Sequence, residues 1–197
     1  MHDNLAGLIL FAFVGAFTPG PNNLMVMASG TIFGFRPTIP HILGVTVGFA
    51  LMLVAFGLGL ASFFQAFPAV HYWVRIAGAA YLLYLAWRIA TAGSPTADES
   101  VRRPLSFLEA ALFQWLNIKA LTLAVGVVTA FTTVGGNLLF ELALIVTIFT
   151  AATLATLVTW CLFGMGIKRL LSSSRALRIT NLVLAALLAL SVVTLFM

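Results

Sequence analysis

Two short stretches hold the residues able to bind or move a polar solute. They are Thr18-Pro19-Gly20-Pro21-Asn22-Asn23 and, in the second half of the chain, Gln114-Trp115-Leu116-Asn117-Ile118-Lys119. Apolar sequence surrounds both: Leu5 to Phe17 and Leu24 to Ser29 flank the first. Pro19 and Pro21 remove backbone donors and disrupt a helical ladder, and Gly20 adds conformational freedom. Broken backbone in hydrocarbon survives only when it is buried in protein or lines a wet cavity. The hexapeptide is therefore expected to form a solute-binding position. Its freed carbonyls would accept from an ammonium group, and Asn22 and Asn23 would add amide donors and acceptors. Asn23 has a plainer alternative, capping the helix that restarts after the break.

Lys119 is the strongest single candidate. A charged lysine at the centre of a membrane helix costs roughly 2.5–3.5 kcal/mol on insertion scales, so its position calls for a partner. Facing a cavity, it could meet the carboxylate of an amino-acid zwitterion, or exchange a proton with solvent. The alternative is a structural role, with the ammonium held by carbonyls exposed at the first break. Gln114 and Asn117 would supply neutral hydrogen-bonding groups, or else bonds between helices worth about 0.6 kcal/mol each.

Other polar residues have plainer readings. Thr147, Thr150, Thr153, Thr156 and Thr159 recur every third residue, a row that drifts around a helix of 3.6 residues per turn. They cannot all line one cavity, and bonding to their own backbone is the expected role. Gly44-x-x-x-Gly48 reads as close helix packing. Glu109 and Glu141 sit at helix starts, where the dipole favours an anion.

Composition excludes several function classes. Hydrophobic residues form 62% of the 197 and charged residues 8%, against about 25% charged in a soluble domain. The chain is thus expected to be an all-α integral membrane protein. Its net charge of +5 is not a nucleic-acid footprint, because the arginines fall beside the ends of apolar segments. Cys161 is the single cysteine, so neither an internal disulfide nor a Cys-x-x-Cys redox pair is possible. His2, His41 and His71 are scattered near segment ends. No catalytic group, metal site or cofactor is expected, and no phosphate-binding loop occurs. Asp3 and the run into Pro-Gly-Pro argue against a cleaved signal.

Six spans are predicted, roughly 5–29, 39–63, 71–91, 106–130, 138–166 and 177–197, forming one transport domain over 1–197. Connections one, three and five with their flanks hold Arg36, Arg88, Arg102, Arg103, Lys168, Arg169, Arg175 and Arg178. The opposite side holds only Arg75, with Tyr72 and Trp73 as an interfacial anchor. By the positive-inside rule both termini lie outside the cytoplasm. The polar connection 92–105, with Asp98 and Glu99, divides the spans into halves of approximately 1–95 and 100–197. Three spans each give the halves opposite orientations, and inverted repeats place solute sites at interrupted helices near the midplane. Lys119 lies about 20 Å from Ser106 at roughly 1.5 Å per residue, near the middle of a core about 30 Å thick. Pro21 and Asn22 lie at a similar depth.

On these residues the chain resembles the LysE/RhtB family of amino-acid exporters, most of all its branch exporting cysteine and O-acetylserine. The likeness includes the hexapeptide, Gly34-Phe35-Arg36, Ala77-Gly78-Ala79-Ala80-Tyr81, Gln114 to Lys119 and Arg178-Ile179-Thr180-Asn181. It implies a secondary transporter in a bacterial inner membrane, with a small neutral amino acid as substrate and exchange for inward protons; the alternative is an exporter of another substrate class, another amino acid or a metal cation, or a passive channel on the same scaffold. The bilayer is its medium, and a homo-oligomer is compatible with it. Many members carry Asn-Pro-Lys in span four. Ile118 stands at the middle position here, which leaves open whether that span is continuous or broken. Branches for basic substrates place an acidic residue in span two, where this chain has His41 and Thr46.

Overall fold

The computed structural model describes residues 5–60, 68–91, 103–133, 135–170 and 174–193. His2, Gln65, Asp98, Glu99 and Arg102 lie outside the described residues. Among those described, every regular element is helical. The helices are α1 (Leu5–Phe17), α2 (Pro21–Phe33), α3 (Phe35–Ala55), α4 (Pro68–Thr91), α5 (Phe107–Phe113), α6 (Ile118–Phe131), α7 (Leu138–Leu170) and α8 (Ser174–Leu190).

Two bends dominate the architecture. The first predicted span is broken between α1 and α2 by 55°, and the fourth between α5 and α6 by 69°. The question left open by Ile118 is thereby answered: the second pair bends more sharply than the first, without a proline. By length and apolarity, Phe35–Gly59 and Leu138–Leu170 can each cross a membrane alone, and the bent pairs raise the total to four. Helices α4 and α8 fall short of that standard. Arg75 and Arg88 lower the apolarity of α4, and α8 has 17 residues.

The first connection is much tighter than expected. Gly34 alone joins α2 to α3, at φ 87°, a backbone conformation that disfavours residues with a Cβ. Arg36 and Pro37 therefore sit in the first turn of α3, where a missing N–H loses no helical bond. Pro40 lies inside the helix. Beyond Ala55 the chain widens into a π-type turn, Phe56–Leu60, with Gly59 inside it at φ 113°.

Helix α7 is the central post, packing on α1, α2 and α3, while α3 also packs on α5 and α4 on α8. Glycines set the closest crossings. A Cβ on Gly44 would overlap the Phe107 carbonyl, and one on Gly48 would come within 2.7 Å of Ala111. The close-packing reading of Gly44-x-x-x-Gly48 therefore holds. The buried apolar residues form two clusters. One gathers Met25, Val26, Val45, Leu82, Phe113 and Leu157. The other gathers Leu8, Phe49, Met52, Leu121, Ile145 and Phe149. Ile118 packs against both, so the broken segments lie at the seam between them.

Candidate functional site

The first break follows from its residues. Thr18 makes the last bond of α1, its N–H donating to the Val14 carbonyl at 3.0 Å. Pro19 cannot extend the ladder. Gly20 is fully extended, and Pro21 begins α2 at a position where its missing N–H is harmless. The carbonyls at the end of α1 then need donors. Asn23 supplies them, its Nδ2 donating to Ala16 O at 2.9 Å and Thr18 O at 3.0 Å. This corrects the capping alternative: Asn23 closes the end of α1, and the cap position of α2 belongs to Gly20, which has no side chain to offer.

At the second break, Gln114–Leu116 tighten into a 3₁₀ turn and Asn117 swings to φ −87°, ψ 98°, before α6 begins. The freed Leu116 carbonyl lies against Gly78 of α4, so close that a Cβ there would overlap it. Gln114 Nε2 donates to Ala110 O at 2.8 Å.

The two breaks are joined to each other. Asn22 Nδ2 donates to Gln114 Oε1 at 2.8 Å, and Gln114 Nε2 returns a longer bond of 3.4 Å to Asn22 Oδ1. The Lys119 ammonium donates to the Thr18 carbonyl. Its stem lies on Gly20, where a Cβ would come within 2.7 Å of Lys119 Cδ. The charge sits at the start of α6, the wrong end of that helix dipole, and is answered by the carbonyl end of α1. Asn22 and Lys119 each occupy the second position of a restarting helix, and each reaches across to the opposite break.

Between the breaks is a cavity of about 50 Å³ bordered by Gly20, Asn22, Asn117, Lys119, Thr153 and Thr156. Val45, Phe49 and Leu157 form its apolar wall. Asn117 Oδ1 and Thr156 Oγ1 are buried without a hydrogen-bond partner among the described residues. Orphaned buried polar atoms are rare, and here two belong to residues that border one cavity. The space suits a polar head group or a few waters. On its other side Lys119 borders a wide cleft of about 560 Å³, together with Thr18, Pro19, Pro21 and Gly20. Eight of the nine residues singled out in the two stretches thus border the cavity or the cleft, and Gln114 joins them through its bonds to Asn22.

The threonine row divides. Thr147 and Thr159 are exposed and donate to Ala143 O and Ala155 O, each at 2.8 Å, as expected. Thr153 and Thr156 are buried and border the cavity, a role the sequence reading did not give them. One helical turn separates such a pair, and that spacing was the available signal.

The two described acidic residues, Glu109 and Glu141, have structural partners. Glu109 completes a capping box with Ser106 and holds Arg103 through both oxygens, at 2.7 and 2.8 Å. That bond raises the Arg103 pKa above its ordinary value. Glu141 accepts from Thr133 N at 2.8 Å.

These features define a helical membrane protein built around two facing broken helices with a polar cavity between them. Residues 13–197 match the LysE type translocator family, and the chain belongs to it. It is 34% identical over 133 residues to the cysteine/O-acetylserine efflux protein of Salmonella paratyphi A, covering 64% of this chain and 65% of that protein. It is 32% identical, with the same coverage, to the protein of that description from Escherichia coli K12. The matched region is thus just under two thirds of these relatives' length. No solved structure matches the chain.

Proposed function

We propose that this protein is a secondary exporter of small neutral amino acids or derivatives, of the cysteine and O-acetylserine kind. It would work by alternating access across the bacterial inner membrane. The observation that carries the reading is the cavity where two helix starts, one ammonium and two orphaned oxygens converge. A zwitterion needs such opposed chemistry. Its carboxylate is served by Lys119 and by the N-terminal ends of α2 and α6, where the dipole favours an anion. Its ammonium is served by Asn117 Oδ1 and Thr156 Oγ1. Val45, Phe49 and Leu157 suit a short side chain, and among the described residues no carboxylate borders the cavity to select a cationic one.

Six spans in two inverted halves, with both termini outside the cytoplasm, complete the proposal. Supporting it, Asn22 and Lys119 hold equivalent positions on restarting helices, and α3 packs on α5 as α7 packs on α1. Lys119 stands between the small cavity and the wide cleft. Release of its bond to the Thr18 carbonyl is the proposed gating event. Proton exchange would supply the drive, with Lys119 as the titrating group at the junction.

Efflux from cells overloaded with cysteine or O-acetylserine tests this reading. With abundance matched, Lys119→Ala and Asn22→Ala are expected to lose most export. Normal efflux from both would remove the proposed binding role.

A further inference from the structure

A second polar pocket lies away from the midplane cavity and shares no residue with it. It is enclosed by α2, α3, α4 and the segment leading into α5. Met25, Ser29, His41, Leu85, Arg88 and Leu105 border it, and its volume is about 50 Å³. His41 is 2% exposed, and neither ring nitrogen has a hydrogen-bond partner among the described residues. A neutral imidazole carries one donor and one acceptor, and leaving both unmet in an apolar interior is costly. The residue therefore points to a ligand.

The surrounding chemistry says which kind. Arg88 borders the pocket, its Nη2 donating to the Arg103 carbonyl at 3.0 Å while its Cζ lies 5.9 Å from the centroid of the Tyr84 ring. The Ser29 hydroxyl bonds Thr38 Oγ1 at 2.8 Å, and Thr38 donates onward to Gly34 O, so the serine proton is directed away from the pocket. The nearby carboxylate, Glu109, is engaged by Arg103 and by Ser106 N. A fixed positive charge beside an imidazole N–H, with no carboxylate among the described residues that border the pocket, selects an anion over a cation. The pocket's size and its Met25 and Leu85 walls favour a small organic anion.

We infer that the pocket formed by His41 and Arg88 is a capture site for the carboxylate of a small amino acid, occupied before the midplane cavity. Its place as a first stop rests on the export reading, in which the α2–α3 and α4–α5 connections face the cytoplasm. The carboxylate would accept from His41 and Arg88, and the amino acid would then pass along α2 from Ser29 toward Asn22.

The test is NMR of ¹⁵N-histidine-labelled full-length protein in micelles at constant pH, with His41 assigned by its loss in His41→Gln. Acetate and O-acetylserine are expected to shift the His41 signals saturably, and methylammonium chloride at equal ionic strength to leave them in place. His41 signals unmoved by acetate, or moved equally by methylammonium, would overturn the inference. Arg88→Gln should weaken the acetate response at least tenfold, and an undiminished response would also overturn it. The wild-type arms decide the matter even where that variant fails to fold. Lys119→Ala should keep the acetate response while losing export. A silent His41 beside intact, Lys119-dependent export would sink this pocket alone. An intact acetate response with normal Lys119→Ala export would sink the midplane reading alone.

Discussion

The two broken helices face each other and are made by opposite means. Between α1 and α2 the break is intrinsic: Pro19 and Pro21 cannot donate, and Gly20 adopts an extended backbone. Between α5 and α6 the turn is sharper, 69° against 55°, yet residues 114–118 include neither proline nor glycine. There the environment makes the break. Gly78 opens room for the Leu116 carbonyl, and Gln114 is drawn into bonds with Asn22 and Ala110. A helix can be interrupted by deleting its own bonds or by seating its freed groups elsewhere. The second route leaves little trace in local composition.

The largest expected effect comes from cutting the link between the breaks. Lys119→Ala should reduce efflux at least tenfold at matched abundance, measured as extracellular cysteine or O-acetylserine. Preserved efflux would mean the breaks work independently. Next in size is the outside support of the second break. Gly78→Val should clash with the Leu116 carbonyl and cost about 1–3 kcal/mol, as overpacking does, read as a lower Tm in detergent. Gly15→Ala meets only the flexible end of the Leu123 side chain and should shift Tm far less. Equal losses would show that the second break does not depend on Gly78.

A double-mutant cycle on Asn22→Ala and Gln114→Ala measures the amide bridge directly. Its coupling energy should be about 0.6–1.7 kcal/mol, the span seen for such bonds in membrane bundles. Zero coupling would remove the bridge from the account. Thr156→Val replaces an orphaned hydroxyl with a methyl group. It should hold or slightly raise Tm, since an unmet buried hydroxyl is costly, while weakening export several-fold. Thr159→Val should leave export unchanged, because its hydroxyl bonds only its own helix. Unaltered export by Thr156→Val would deny that hydroxyl a ligand.

The smallest effect is predicted for Ile118→Pro. Ile118 opens α6, where a missing N–H loses no helical bond. Asn117, at φ −87° and ψ 98°, already has the extended backbone preferred before proline. Stability should change by less than about 1 kcal/mol, in the range of compatible proline substitutions, and export should persist. A collapse of either would show that the two breaks cannot share one design.

Some of this was readable in the residues. Pro19-Gly20-Pro21 inside an apolar run announced the first break, because those side chains act on their own backbone. Gly44-x-x-x-Gly48 announced a close crossing for the same local reason. Lys119 drew notice through the cost of its charge in hydrocarbon. The sequence did not separate Thr156 from Thr159, since both have the same spacing and chemistry and differ only in what α7 faces. Nor could it give Asn23 its work, which is to answer the carbonyls of a helix already ended.

Residue types alone settled that this chain is helical, apolar and interrupted early, since proline, glycine and hydrophobicity act through neighbouring bonds and the surrounding solvent. Packing decided that the fourth segment bends, that Lys119 reaches the Thr18 carbonyl, and that Asn117 and Thr156 are left with unmet oxygens. Those outcomes depend on atoms brought together from opposite halves of the chain. Their free energies belong to contacts that have no value until the helices are assembled.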